Sequence, residues 1–139
     1  MARYFVQLLK YIWALPNTTL GLGFIPLTLM SGGRVRIERG AIEVYGGFTR
    51  FFLSRCLLIG AAAMCLGHVI LGRDRDCLNR SRNHEHVHVR QYERWGPFML
   101  PAYFLSSFLA WRRGDHYYLG NRFEREAYEH DESNPSGLS

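Results

Sequence analysis

A chain of 139 residues, 47% hydrophobic and 14% aromatic, is long enough for one modest core and too apolar to be disordered. Its formal charge of +5 comes largely from Arg residues scattered between Arg34 and Arg125. No basic stripe interleaved with aromatics emerges, which argues against nucleic-acid binding, and attraction to anionic lipid headgroups accounts for the balance equally well. The three cysteines Cys56, Cys65 and Cys77 are odd in number and lack C-x-x-C spacing, so they define no disulfide framework. Cys56 and Cys65 sit among apolar residues and read as packing or lipid-facing side chains, whereas Cys77 has room to be exposed.

Residues 4–30 carry Lys10 as their only charge, and the 20 residues from Tyr11 to Met30 carry none, about the length needed to cross a hydrocarbon core. Pro16, Asn17 and Pro26 interrupt the run. A single spanning helix and a broken or re-entrant hairpin are therefore both open. No A-x-A cleavage pattern follows, which disfavours a signal peptide. Ser31-Gly32-Gly33 turns the chain out of this segment. Arg34–Glu38 and Ala41–Tyr45 then alternate in polarity around Arg39-Gly40, predicting a β-hairpin.

Residues 48–72 read as a helix over 48–58 followed by a strand over 64–71, because a single membrane span there would have to carry Arg55 and His68. His68 reads as a hydrogen-bonded structural residue rather than a ligand. Residues 77–95 contain no Pro or Gly, begin after a candidate N-cap at Asp76 and stop at Gly96-Pro97, which predicts a helix. Within it, His84-Glu85-His86-Val87-His88 matches H-E-x-x-H. Residues four apart share a helix face, so His84 and His88 can address one ion, with Glu85 about 100° round the wheel, free to act on water. His84, His88, Gln91, Tyr92 and Trp95 form the inward stripe, with Arg80, Arg82, Arg90, Glu93 and Arg94 outside. A strand would instead align His84, His86 and His88 and lose the base; the long breaker-free run favours the helix.

The apolar stretch 97–111 is too short for a confident span. It can cover the back of the histidine helix or dip into a membrane interface with Trp95, Tyr103 and Trp111 at headgroup level; the core role is preferred. Residues 121–128 (NRFEREAY) form a second short helical pattern in which Glu124 and Glu126 lie about 200° apart, so only one can face the histidines. A catalytic zinc takes three protein ligands and leaves one open position, so this segment is the place to look for the third.

The H-E-x-x-H motif followed by E-x-E-A-Y resembles the membrane gluzincins, the clan of the CAAX prenyl proteases and the heat-shock membrane metallopeptidase, over roughly residues 64–131. The stretch from Gly67 through H-V-R-Q-Y-E-R-W-G-P to F-E-R-E-A-Y also resembles a group of small uncharacterised bacterial proteins. The resemblance implies Glu124 as third zinc ligand, a strand at Gly67–Leu71 ahead of the zinc helix, edge pairing of an extended substrate, and a bacterial inner-membrane location. Where the clan has Asp after the Ala, this chain has Tyr128; Asp131, one turn on, is the candidate substitute for orienting a ligating histidine.

The resulting expectation is an α+β fold. A zinc-bearing helix and a C-terminal helix pack with a small antiparallel sheet behind an apolar, membrane-associated N-terminal helical segment. Residues 1–32 form that segment, 33–131 a metallopeptidase-like domain and 132–139 a flexible tail. The expected activity is peptide hydrolysis, with Zn²⁺ on His84, His88 and Glu124 and with Glu85 as general base. Tyr128 is the leading oxyanion donor, with Tyr117, Tyr118 and His116 as alternatives. Expected partners are a peptide or protein substrate and membrane lipid, and not nucleic acid. A catalytically silent zinc module and a metal-free membrane interaction protein are the competing classes.

Overall fold

The structure, a computed structural model, describes residues 1–56 and 61–133, the last three by backbone alone. Helix α1 (Ala2–Leu22) runs almost directly into α2 (Phe24–Met30), followed by strands β1 (Arg34–Glu38) and β2 (Ala41–Tyr45). A short α3 (Gly47–Phe51) continues as a π-helical turn over Phe52–Cys56. Strands β3 (Ala63–Leu66) and β4 (Val69–Gly72) lead into the long α4 (Arg75–Trp95). A 3₁₀ turn over Gly96–Phe98 enters α5 (Met99–Arg112), and α6 (Arg122–Ser133) closes the described chain.

The hairpin forms as its alternation predicts, with Arg34 opposite Tyr45 and Glu38 opposite Ala41. Downstream the sequence reading needs three corrections. The strand expected over 64–71 is two strands, because Gly67 adopts φ +62° and reverses the chain at Gly67-His68. The sheet is therefore mixed rather than antiparallel: its order is β1-β2-β4-β3, and β4 runs parallel to β2. The cap of α4 is Asp74, whose carboxylate accepts the Cys77 amide at 2.8 Å; Asp76 lies inside the first turn. The helix expected over 48–58 is described as far as Cys56, and its remaining residues lie outside the described ones. Cys65 is buried and Cys56 exposed; Cys77, which had room to be exposed, is buried.

Alternation along β2 divides the core between the two faces of the sheet. Ala41 and Tyr45 pack with Ile70, Leu78, Val89 and Tyr92 on the α4 side. Val44 packs with Leu53, Val69 and Leu71 on the side covered by α2 and α3. Glu43 also faces α4 and is fully buried; its carboxylate receives Arg36 Nε at 2.6 Å and Arg82 Nε at 2.8 Å. This pair of charge-assisted bonds ties the hairpin to the helix two residues before His84. Arg82 is thus turned into the fold, not out to solvent as its place on the helix wheel suggests.

Helix α1 lies against this body through small and polar residues. Ala14, Asn17, Thr18 and Gly21 are its buried positions. Asn17 Nδ2 donates to the Gly96 carbonyl at 2.8 Å, and Thr18 Oγ1 accepts the His68 amide at 3.1 Å. At Gly21 an added Cβ would meet Val69 at 2.5 Å, so the α1 backbone rides directly on β4. Its large side chains, among them Phe5, Leu8, Ile12 and Leu20, point outward. The run Ala2–Met30 is long and apolar enough, by length and composition, to cross a membrane.

The same polarity governs α5, where the expected core role is met mainly by its first turns: Met99 is in the core, with Leu100, Ala102 and Tyr103 partly buried against it. Among its residues only Met99 and Ala110 are buried, while Phe104, Leu105, Phe108, Leu109 and Trp111 are exposed. Trp95 packs edge-on against Phe123, and Tyr103 turns toward α6 instead of a headgroup level. Ser106 Oγ accepts the Arg122 amide at 2.9 Å, and Asn121 Nδ2 donates to Ser107 Oγ at 2.7 Å and to the Tyr103 carbonyl at 2.9 Å. These bonds clamp the start of α6 onto α5.

Burial alone would raise the Glu43 pKa, but hydrogen bonds from Arg82 and Arg36 outweigh it and hold the carboxyl below its ordinary value. Its contribution is present above the unfolded value of 4.5 and is lost as pH falls through the depressed folded value. Replacing Glu43 by Ala strands two arginines and is expected to cost about 3–5 kcal/mol. Denaturant titrations from pH 7 to pH 3 should show wild type losing stability more steeply than Glu43→Gln below pH 4.5.

Candidate metal centre

The breaker-free sequence of α4 delivers His84 and His88 one turn apart on the face that meets α6, and both are buried. Their Nε2 atoms face each other at 3.3 Å. Glu124 comes from the first turn of α6 and is 4% exposed. Asn121 caps that helix by accepting the Phe123 amide at 2.8 Å, which places Glu124 at the third helical position. There an acidic residue often folds back onto the cap amide. Here the Asn121 amide donates to the Tyr118 carbonyl instead, and the Glu124 carboxylate reaches across to α4. The helix N-terminus also favours its charged form.

Glu124 Oε2 lies 3.0 Å from His84 Nε2 and 3.3 Å from His88 Nε2. With the 3.3 Å between the nitrogens, these atoms form a nearly equilateral triangle. Bonds of about 2.0–2.1 Å around a tetrahedral zinc put adjacent donors roughly 3.3–3.4 Å apart, so the triangle has the size of one tetrahedral face. Neutral imidazole and carboxylate together suit zinc.

The outer hydrogen bonds leave those three atoms facing one another. Gln91 Nε2 donates to the Phe123 carbonyl at 3.0 Å, which turns its Oε1 toward His88 Nδ1 at 2.8 Å. That oxygen requires a proton on Nδ1, so a neutral His88 presents its lone pair from Nε2. Tyr103 donates its hydroxyl to Glu124 Oε1 at 2.7 Å, leaving Oε2 for the triangle. Such outer partners fix the orientation and basicity of ligating side chains.

In the metal-free protein the same atoms form a buried ion cluster. Burial would lower the His88 pKa, but the Glu124 hydrogen bond and the charges of Glu85 and Glu124 push it up to about 9. His84 is raised by the same partners against its own burial. Burial would raise Glu124, yet hydrogen bonds from the two histidines hold it well below the usual carboxylate range. A metal at this position must therefore displace protons.

Glu85 is also buried and lines the same cavity of about 750 Å³, its charge acting on both histidines and on Cys65. One wall is β3 and the segment before it, from Ala61 to Leu66; others come from Met99, Tyr103 and Phe104 of α5. The Tyr128 ring lies beside that of His84, tilted by 59° at a centroid distance of 4.7 Å, and is 41% exposed. Tyr117 and Tyr118 line the cavity with it. Burial, the Glu124 charge and a hydrogen bond with Tyr128 raise the Tyr118 pKa, keeping it a phenol. His116 does not line the cavity; its Nδ1 accepts the amides of Tyr118 and Leu119.

Comparison with protein-family models, curated proteins and solved structures finds no match to this chain.

Glu126 lies outside the cluster, 44% exposed and 3.8 Å from Arg94, so α6 resolves the choice between the two glutamates in favour of Glu124. His86 is not part of the cluster and lies within the fields of Arg39, Glu43, Arg82 and Arg90, and the three-histidine patch of a strand does not form. His68 pairs with Glu93 at 2.9 Å beneath the Tyr11 ring. The Asp131 side chain lies outside the described residues. Sequence reasoning missed Tyr103 and Asn121 and saw Gln91 only as part of a stripe. Of these, Asn121 alone had a signal, an N-cap three residues before Glu124.

A raised His88 pKa stabilises the metal-free fold fully below its unfolded value near 6.5, and that contribution fades as pH climbs through about 9. Zinc uptake at pH 7 is expected to release at least about one proton per ion. Isothermal titration calorimetry in buffers of different ionisation enthalpy reads that number directly.

Proposed function

We propose that this protein is a membrane-associated zinc hydrolase that cleaves peptide bonds. The observation that carries the reading is the 3.0–3.3 Å triangle of His84 Nε2, His88 Nε2 and Glu124 Oε2 on the floor of a cavity that Glu85 also lines. A zinc ion held by these residues would supply Lewis acidity, making water a nucleophile near neutral pH and polarising a carbonyl oxygen.

Glu85 takes the proton of the attacking water and hands it to the departing amine. Burial beside two histidines keeps its carboxylate close to the charge it must exchange. Tyr128 is the hydroxyl donor for the developing oxyanion, with Tyr118 as its hydrogen-bonded neighbour in the same wall. β3 is one of the two edge strands of the sheet and lines the cavity, which suits an extended peptide held by strand pairing. Membrane association rests on Ala2–Met30, whose apolar side chains face outward and whose small polar ones face the protein.

A second reading is a structural zinc site, favoured by one observation: Glu124 bridges α4 and α6 at the very point where a metal would staple them. Chelation separates the two. A structural staple unfolds when its metal is removed; a catalytic site loses activity with the fold retained.

Elemental mass spectrometry of detergent-purified protein should give about one zinc per chain, falling in His84→Ala and Glu124→Ala. Glu85→Gln should keep the metal and lower peptide hydrolysis by about 10²–10⁴-fold. Unchanged hydrolysis in that variant overturns the mechanism, and metal-free wild type after reconstitution overturns the reading as a whole.

A further inference from the structure

Helix α5 is turned inside out. Its inward face carries the hydroxyls of Tyr103, Ser106 and Ser107, all hydrogen-bonded to α6 or the residue before it. Its outward face carries Phe104, Leu105, Phe108, Leu109 and Trp111, each 47–65% exposed. Water rewards the opposite arrangement. At 14 residues the helix is about 21 Å long, too short to cross a bilayer. Trp111 is followed by the exposed pair Arg112-Arg113, an aromatic and cationic end that complements anionic headgroups. At its other end Phe98 meets Trp13 of α1 at 6.1 Å, so the apolar face of α5 continues into that of α1. A second copy of the chain has no need of this cationic end; a lipid surface does.

We infer that α5 is seated in the surface of a lipid bilayer by its Phe104–Trp111 face, and that Tyr103 on its inner face is the positioning residue through which this seating holds Glu124. The second half rests on the metal reading above. The link is short: the same helix that meets lipid donates the Tyr103 hydroxyl to Glu124 Oε1 and, through Ser106 and Ser107, fixes the start of the helix that bears Glu124. Phe104 also lines the cavity, so the seated helix forms part of its wall.

The test uses the full chain carrying Trp13→Phe and Trp95→Phe, which leaves Trp111 as sole reporter, in phosphatidylcholine–phosphatidylglycerol vesicles containing brominated lipid. Trp111 fluorescence is expected to be quenched, and Phe104→Ser with Phe108→Ser is expected to abolish the quenching. In the same vesicles, chelator competition should show Tyr103→Phe weakening zinc affinity by about 10–100-fold. Its Trp111 should stay quenched, which separates loss of one hydroxyl from loss of the helix's place. Unquenched Trp111 in vesicle-bound protein, whether bare or covered by a second copy in cross-linking, overturns the seating. Equal zinc affinity in Tyr103→Phe overturns the positioning role. Quenched Trp111 with no zinc in wild type overturns the metal reading and the positioning role together, and supports the seating.

Discussion

A carboxylate buried between two imidazoles is the constraint around which the rest of this molecule is arranged. Glu124 on its own would be costly to bury; with both histidines at 3.0–3.3 Å it remains charged and pins α6 to α4. That contact requires α6 to begin at one place and no other. Asn121 supplies the place: fully buried, it caps α6 with its side-chain oxygen and spends its amide protons on α5. Gln91 and Tyr103 then take up the polar atoms that point away from the triangle.

Holding α4 steady is the work of the sheet. Its central strands are buried, and the Glu43–Arg36–Arg82 cluster reaches from β1 and β2 to the turn of α4 before the first histidine. The parallel pairing of β2 with β4 places the β3–β4 hairpin under α4, which sets β3 along the cavity. A reversal of a single glycine at position 67 is what makes that possible. Without it, one longer strand would run past the site.

Around this polar centre the helices α1 and α5 reverse the usual distribution of side chains. Small and hydroxyl-bearing residues meet the protein, allowing close approach of α1 to β4 at Gly21 and satisfying the buried Gly96 carbonyl through Asn17. Large apolar residues face away. Packing through small residues and hydrogen bonds is the mode available where surroundings are as apolar as leucine. Two helices of separate origin along the chain share the pattern, and Trp13 of α1 meets Phe98 in the turn that leads into α5.

Much of this was legible from residue order alone, wherever the physics is local. Spacing placed His84 and His88 on one face, polarity alternation set the Arg34–Tyr45 hairpin, and Gly96-Pro97 ended α4. The angle between Glu124 and Glu126 on a helix required that one of them be outside. What the order of residues could not decide was anything set by a partner distant in the chain. Glu124 faces the histidines and Glu126 does not because of where α6 docks, and Asp74 rather than Asp76 caps α4 because the helix already begins at Arg75, directly after β4 ends at Gly72. For the apolar 97–111 segment the core role is preferred over the surface one, and composition misleads there, since it records how hydrophobic a helix is and not which neighbour it meets. Tyr103 carried no local signal at all, and Glu43 only its place opposite Arg36 in the hairpin: the bonds that tie them to the helices reach groups 21 and 39 residues away, and only tertiary packing brings such groups within reach.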